Sequence, residues 1–303
     1  MKIIPATING PLSRVIGSLD VHGNGTNHPL PHVNPFVLLD EACTITKPNI
    51  PAFGLHPHSG AMILTICLSG YVENVSFDCE SSKIKSIHGP GPFVLAVNAG
   101  RGVVHDEHTY DGGDDEVGCS TKLIQLAWMT GDDALAAEMF YDDHPVVLEQ
   151  EDGVQVMLCA GNYCQKSSVI SCREVPSVTV LIVSLPPGGK FETDEFVNRM
   201  GDGFIYNLGY EGRKGPVWVN GEEVLESQVA VELELNSRNV EIENRGSDCE
   251  ATTLLGFAKP LDEVWTKLLM YNGFIFSKSQ ESALEKKLEF EKVGAANFGK
   301  SLN

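Results

Sequence analysis

Short β-prone runs, each closed off by Gly, Pro, Asn or Asp, recur along almost the whole 303-residue chain and leave little room for helix. They fall at 36–39, 63–68, 71–77, 93–97 and 122–129, and again at 154–159, 178–185, 204–208, 229–235, 240–242 and 251–257. Frequent short strands with turn signals between them favour antiparallel sandwiches or barrels over alternating βαβ units. The length accommodates two such sets. The polar stretch 142–153 separates them and reads as a linker, which gives two expected domains, 1–141 and 142–303.

Helices are expected in three places. Residues 260–270 set Leu261, Val264, Trp265, Leu268 and Leu269 at helical spacing, with Pro260 in the first turn and Asn272-Gly273 as a stop. A second amphipathic segment runs from Ser279 through Leu284 and Leu288 to about Val293, and a short one from Asp132 to Met139.

Composition narrows the function. Lys and Arg number 22 against 41 Asp and Glu, a formal charge of −19. That excess of acid argues against a direct grip on nucleic acid or on anionic membrane, where Lys and Arg must supply the affinity. No apolar run reaches the ~18 residues of a membrane span, and Met1-Lys2-Ile3-Ile4-Pro5 lacks a signal-peptide core. A cytoplasmic protein, nuclear as an alternative and not secreted, is expected. The eight cysteines contain no CxxC pair and read as free thiols in a reducing compartment. The acidic run 111–116 reads as a solvated connection.

The chemistry concentrates in two alternating pairs. In His56-Pro57-His58 the imidazoles project from one strand face, roughly 7 Å apart along the backbone, and can converge on one ion. His105-Asp106-Glu107 is a second such pair, following the turn-rich Asn98-Ala99-Gly100-Arg101-Gly102. If the two strands are neighbours, the set comprises three imidazoles and one carboxylate. Four ligands leave two octahedral positions free, which suits a redox metal that takes substrate or dioxygen better than a closed structural zinc. Arg101 could orient an anionic group or simply pair with an acidic neighbour. His108 alternates away from the site, and His22, His28, His32 and His88 lack partners at ligand spacing.

These residues carry a resemblance. The runs Asn34-Pro35-Phe36-Val37-Leu38-Leu39-Asp40-Glu41, His56-Pro57-His58-Ser59-Gly60 and Ala99-Gly100-Arg101-Gly102-Val103-Val104-His105-Asp106-Glu107 resemble the pirins, two-domain members of the cupin superfamily. Gly203-Phe204-Ile205-Tyr206 and Asn272-Gly273-Phe274-Ile275-Phe276 are weaker matches. The resemblance implies an all-β bicupin: two antiparallel jelly-roll barrels, a few short helices, and a C-terminal helix packed on the first half. It implies Fe(II), or another divalent transition metal, on His56, His58, His105 and Glu107, with Glu107 also the catalytic proton acceptor. It implies a metal-free second cupin, and no histidine follows His144.

Two functions are implied: a quercetinase-type dioxygenase that opens a flavonol with O2, or a non-enzymatic, iron-dependent transcription cofactor that contacts protein partners. A monomer is expected. The chain departs from the family at Ala61-Met62-Ile63, where pirins carry Phe-Glu-Thr, and at Pro90-Gly91-Pro92 and Leu95-Ala96-Val97-Asn98. Loss of the carboxylate at Met62 is expected to remove a supporting group near the metal and to weaken catalysis.

Overall fold

The computed structural model describes residues 2–5, 7–9, 12–16, 33–45, 54–78, 83–110, 120–131, 135–171, 177–193, 200–209, 215–221, 223–234, 239–262, 265–270 and 273–294. Strands dominate, as the turn-punctuated sequence requires, and each expected run lies within or largely overlaps a strand. The fold is antiparallel and of cupin, jelly-roll type, although its sheets remain open layers and do not close into the complete barrels expected. No helix among the described residues is long and apolar enough to cross a membrane.

The chain forms two compact units. One comprises Met1–Gly17, His28–Glu41 and His144–Pro260; the other comprises Ser18–Asn27, Ala42–Asp143 and Leu261–Asn303. This division differs from contiguous domains 1–141 and 142–303 because both ends of the chain are exchanged. The strand Lys2–Pro5 pairs with Val229–Glu234, in register Ile3 to Val231. The strand Gly273–Ser277 pairs in parallel with His56–Ser59. Such long-range pairings depend on which sheet edges are open, which sequence order does not encode.

In the first unit a seven-stranded sheet runs in the order Lys2–Pro5, Val229–Glu234, Asp202–Asn207, Ala251–Ala258, Val178–Leu185, Gln155–Ala160, Val146–Glu149. A four-stranded sheet built from Lys190–Glu192, Glu241–Glu243, Val217–Val219 and Glu223–Leu225 accompanies it. Their shared core is apolar, with Leu158, Leu181, Val183, Phe191, Ile205, Val231, Leu255 and Phe257 buried together. The expected linker 142–153 is part of this sheet edge. Val146–Glu149 pairs with Gln155–Ala160, and the chain reverses through a 3-10 turn at Glu151–Gly153 with Asp152 at φ 68°. The β-formers Val146, Val147 and Leu148 stand in a stretch whose flanks are acidic, and the flanks mask them.

The second unit contains a six-stranded sheet in the order Thr266–Met270, Gly273–Ser277, His56–Ser59, Val103–Tyr110, Tyr71–Asp78, Lys83–His88. Its other layer includes Glu138–Asp142, Phe93–Asn98, Ala61–Ser69 and Ser120–Met129 as successive neighbours. The helix expected at 260–270 is not formed. Thr266–Met270 is a strand with alternating burial, hairpinned to Gly273–Ser277 with Met270 opposite Gly273. Asn-Gly is a two-residue hairpin signal as well as a helix stop, and Leu268 and Met270 fit a period of two equally well. The short helix expected at 132–139 is also absent where described, since Glu138 and Met139 begin a strand; 132–134 lie outside the described residues.

The last helix, Gln280–Gly294, forms as expected. Ser279 caps it by accepting the Ser282 N–H at 3.1 Å on its hydroxyl oxygen. Its Ala283 and Phe290 pack with Leu55, Val104, Met270 and Ile275, so the helix covers the back of the strands that carry the site.

Candidate metal centre

The strands His56–Ser59 and Val103–Tyr110 are antiparallel neighbours, with His105 opposite His56 and Val103 opposite His58. Alternation therefore sends His56, His58, His105 and Glu107 to one face, where all four are buried. One candidate ligand atom from each of His56, His58 and His105 lies within 4.8 Å of the other two. The three rings pack edge to face, with centroids 4.6 to 4.9 Å apart.

His56 Nδ1 lies 2.6 Å from the Gly54 carbonyl oxygen, so it is the protonated nitrogen and donates there, leaving Nε2 as a lone-pair donor. That Nε2 sits 3.1 Å from His105 Nε2. Two nitrogens bound to one ion at right angles, each at ~2.1 Å, would be roughly 3.0 Å apart, so the observed pair already has the spacing of adjacent ligands. The Nδ1 atoms of His58 and His105 are buried without a hydrogen-bond partner. Three desolvated imidazoles crowded together, with two ring nitrogens left without a partner, would be a costly interior without a cation between them.

The electrostatics agree. Burial lowers the pKa of His56 and drives those of His58 and His105 well below the ordinary histidine value, the latter two pushed further by neighbouring imidazoles. The rings are thus neutral at pH 7, the form that ligates metal.

Glu107 shares the face but does not join the three-imidazole set. The Thr65 hydroxyl donates to its Oε1 at 2.6 Å, and the Gln125 side-chain amide donates to its Oε2. Thr65 and Gln125 are paired across the opposite layer, Ala61–Ser69 with Ser120–Met129. Burial pushes the Glu107 carboxyl up to about 7, aided by Asp106 and opposed by the two hydrogen bonds. Asn74 and Ser76, opposite Glu107 and His105 on the next strand, are buried and bonded to each other at 3.0 Å. Thr65, Asn74, Ser76 and Gln125 carry no motif; only cross-strand register assembles them.

Met62 does not lie where the family comparison of sequences suggested. It is three residues from Thr65 on a continuous strand, hence on the reverse face, and it is fully buried opposite Trp128 and Asn98. Arg101 is exposed, on a turn held by its backbone N–H to the Leu135 carbonyl at 2.7 Å. His144 is exposed, whereas His22, His28 and His32, the acidic run 111–116 and the side chains of His88 and His108 lie outside the described residues. The described free cysteines are Cys67, Cys159, Cys164 and Cys249.

Comparison with known proteins adds an independent line. A search of curated protein sequences finds no match. Among solved structures, a quercetin 2,3-dioxygenase from Acinetobacter baumannii superposes with a TM-score of 0.72 at 19% identity, covering 99% of this chain and 91% of that one. GK1651 from Geobacillus kaustophilus gives 0.64 at 21% identity over 87% and 96% of the two chains. The bacterial pirin YhhW from Escherichia coli, in complex with nickel(II), gives 0.59 at 16% identity over 86% and 99%. At these identities the likeness establishes the shared cupin fold. The pirin family model matches residues 18–129, the segment that carries His56, His58, His105 and Glu107. The likeness to the pirin family is thus confined to residues 18–129 of the 303, within a chain whose fold as a whole is of cupin type.

Proposed function

We propose that His56, His58 and His105 hold a divalent transition metal, Fe(II) by the pirin likeness, and that the protein is a quercetinase-type dioxygenase acting on a flavonol or a similar chelating enol. The observation that carries the reading is the convergence of three buried, neutral imidazoles. The donor set fits such an ion: all nitrogen, borderline in softness, with coordination positions to spare. When bound, the metal supplies Lewis acidity toward the substrate oxygens and one-electron chemistry toward dioxygen.

The chain's own contribution is binding and proton handling. His56 is oriented by its hydrogen bond to Gly54 and presents Nε2. Glu107, poised near neutrality, takes the proton of the flavonol 3-hydroxyl on a carboxylate oxygen, while Thr65 and Gln125 keep the group from swinging away. The site is buried, and the scarcity of water there strengthens both interactions. A cytosolic or nuclear setting belongs to the same proposal.

The test is to strip the protein with chelator, reload it separately with Fe(II), Mn(II), Co(II) and Ni(II), and follow quercetin loss and oxygen uptake together. Stoichiometric loss of both with at least one metal is expected. Tight binding of one metal equivalent without turnover would overturn the dioxygenase and return the regulator, whose acidic surface suits a basic protein partner.

A further inference from the structure

A metal-binding histidine ordinarily donates its second ring N–H to a carbonyl or carboxylate, which fixes the ring's orientation. His56 follows that rule through Gly54. His58 does not: its Nδ1 is buried without a partner, as is that of His105, but unlike His105, which contacts His56 Nε2 through its own Nε2, its side chain makes no hydrogen bond among the described residues. Something else must hold this ring. Among the described aromatic rings, the one packed on it besides the other two imidazoles is Phe274, with ring centroids 4.2 Å apart and planes inclined at 57°.

Phe274 arrives from more than 200 residues away in sequence, on the strand Gly273–Ser277, which pairs in parallel with His56–Ser59 so that Phe274 is the register partner of His58. The approach is built to be close. A Cβ on Gly273 would sit 1.9 Å from the Pro57 carbonyl oxygen, and one on Gly60 would sit 2.4 Å from that of Phe276. Glycine at both ends lets the C-terminal strand press against the His-Pro-His backbone. Phe276 backs Phe274 with centroids 5.3 Å apart, and Ile275, pointing the other way, is anchored under the terminal helix by Ala283 and Phe290. Phe274 is itself buried and is therefore a rigid wall.

We infer that Phe274 is a positioning residue for the metal centre: its ring, seated by the C-terminal hairpin and helix, holds the His58 imidazole in ligating orientation in place of the usual hydrogen bond. The inference rests on the metal-centre reading above. Its consequence is that the metal-binding unit depends on a segment contributed by the far end of the chain for the strength and geometry of its site, as well as for packing.

The experiment uses chelator-stripped full-length protein titrated with Co(II) alone, read by calorimetry and by the visible ligand-field spectrum, alongside thermal melting. Phe274→Leu keeps the bulk and loses the planar ring; Phe274→Tyr keeps the ring; Leu268→Ala loosens the same hairpin without touching His58. Phe274→Leu is expected to weaken Co(II) binding ~10 to 100-fold, the loss typical when a ligand's support is removed, and to alter the spectrum. Phe274→Tyr should restore both, and Leu268→Ala should lower the melting temperature with affinity and spectrum unchanged. Parent-like affinity and spectrum in folded Phe274→Leu would overturn the inference, as would an equal loss in Leu268→Ala. Failure of the parent to bind Co(II) would instead overturn the metal-centre reading, and the inference with it.

Discussion

The interior of the unit that carries His56, His58 and His105 also holds Thr65, Asn74, Ser76, Glu107 and Gln125, all buried. The interior of the other unit is filled by Val154, Leu158, Leu181, Val183, Phe191, Ile205, Leu255 and Phe257. Both are layered antiparallel folds, and both bury polar groups. They differ in what those groups serve. In the apolar unit Asn244 donates to the Leu185 and Cys249 carbonyls and accepts from the Gly246 N–H, so its side chain ties loops together. In the other unit the polar atoms face one another across the interior, and two imidazole nitrogens remain unpaired. The same kind of layered sheet thus encloses an apolar core in one unit and a cluster of imidazoles and polar groups in the other, and the difference lies in the side chains.

The strongest way to break this comparison is to remove a ligand. His105→Ala is expected to cost more metal affinity than the ~10 to 100-fold attached to a ligand's supporting partner, with the fold retained. Metal content after reconstitution, measured against protein concentration, checks this; parent-like stoichiometry and affinity would dissolve the distinction between the units. The complementary change is Phe191→Ala in the apolar core, expected to cost about 3 to 5 kcal/mol of stability in denaturant unfolding while leaving the metal affinity of the surviving folded protein unchanged.

Met62 tests which face matters. The family likeness invites Met62→Glu as a restoration, but the side chain is fully buried on the face turned away from Thr65 and Glu107. An unpaired carboxyl there should destabilise the fold by roughly several kcal/mol and leave flavonol turnover no higher than in the parent. Raised turnover in a variant of parent-like melting temperature would place Met62 on the Glu107 side.

How far these outcomes are legible in sequence depends on the range over which the information acts. The His-Pro-His and His-Asp-Glu pairs are local alternations, and the strand period alone sends them to one face. The strands 63–68 and 178–185 are continuous β-formers and declare themselves. Thr266–Met270 misleads because its apolar residues satisfy two periods at once, and its pairing with Gly273–Ser277 decides between them. Thr65, Gln125 and Phe274 are invisible for another reason. Each is ordinary in its own segment and becomes part of the site through register with a strand 42, 18 or 216 residues distant.

Acid–base behaviour sharpens the comparison further in metal-free protein. Glu107 has its folded pKa raised to about 7 from an ordinary 4.5, so the unfolded chain releases this proton first and stability falls as pH rises through that window. The three imidazoles act oppositely: held neutral in the fold but protonated when unfolded, they make stability fall as pH drops below 6.5. Glu107→Gln isolates the first effect. It should match the parent's stability near pH 4.5 and exceed it at pH 7.5 by up to ~3 kcal/mol, at about 1.36 kcal/mol for each pH unit separating the folded and unfolded pKa, less any weakened hydrogen bonds. A constant difference across that range would show that Glu107 titrates normally.

The smallest expected effects come from making one substitution at a buried strand threonine in each unit. Thr65 and Thr252 are each buried, but the Thr65 hydroxyl donates to Glu107 Oε1, whereas Thr252 Oγ1 has no partner among the described residues. Thr→Val swaps a hydroxyl for a methyl at almost constant shape. At position 252 it deletes an unsatisfied polar atom, so the change should be neutral or stabilising by up to about 1 kcal/mol. At position 65 it deprives a buried carboxylate of a donor, so it should cost about 1 to 3 kcal/mol above pH 7, where Glu107 is ionised, and less below. It should also move the Glu107 titration, followed by carboxyl-carbon NMR in the metal-free protein, to still higher pH, because the lost bond favoured the charged form. Equal effects at the two positions would mean that the hydrogen bond to Glu107 does nothing to hold its charge.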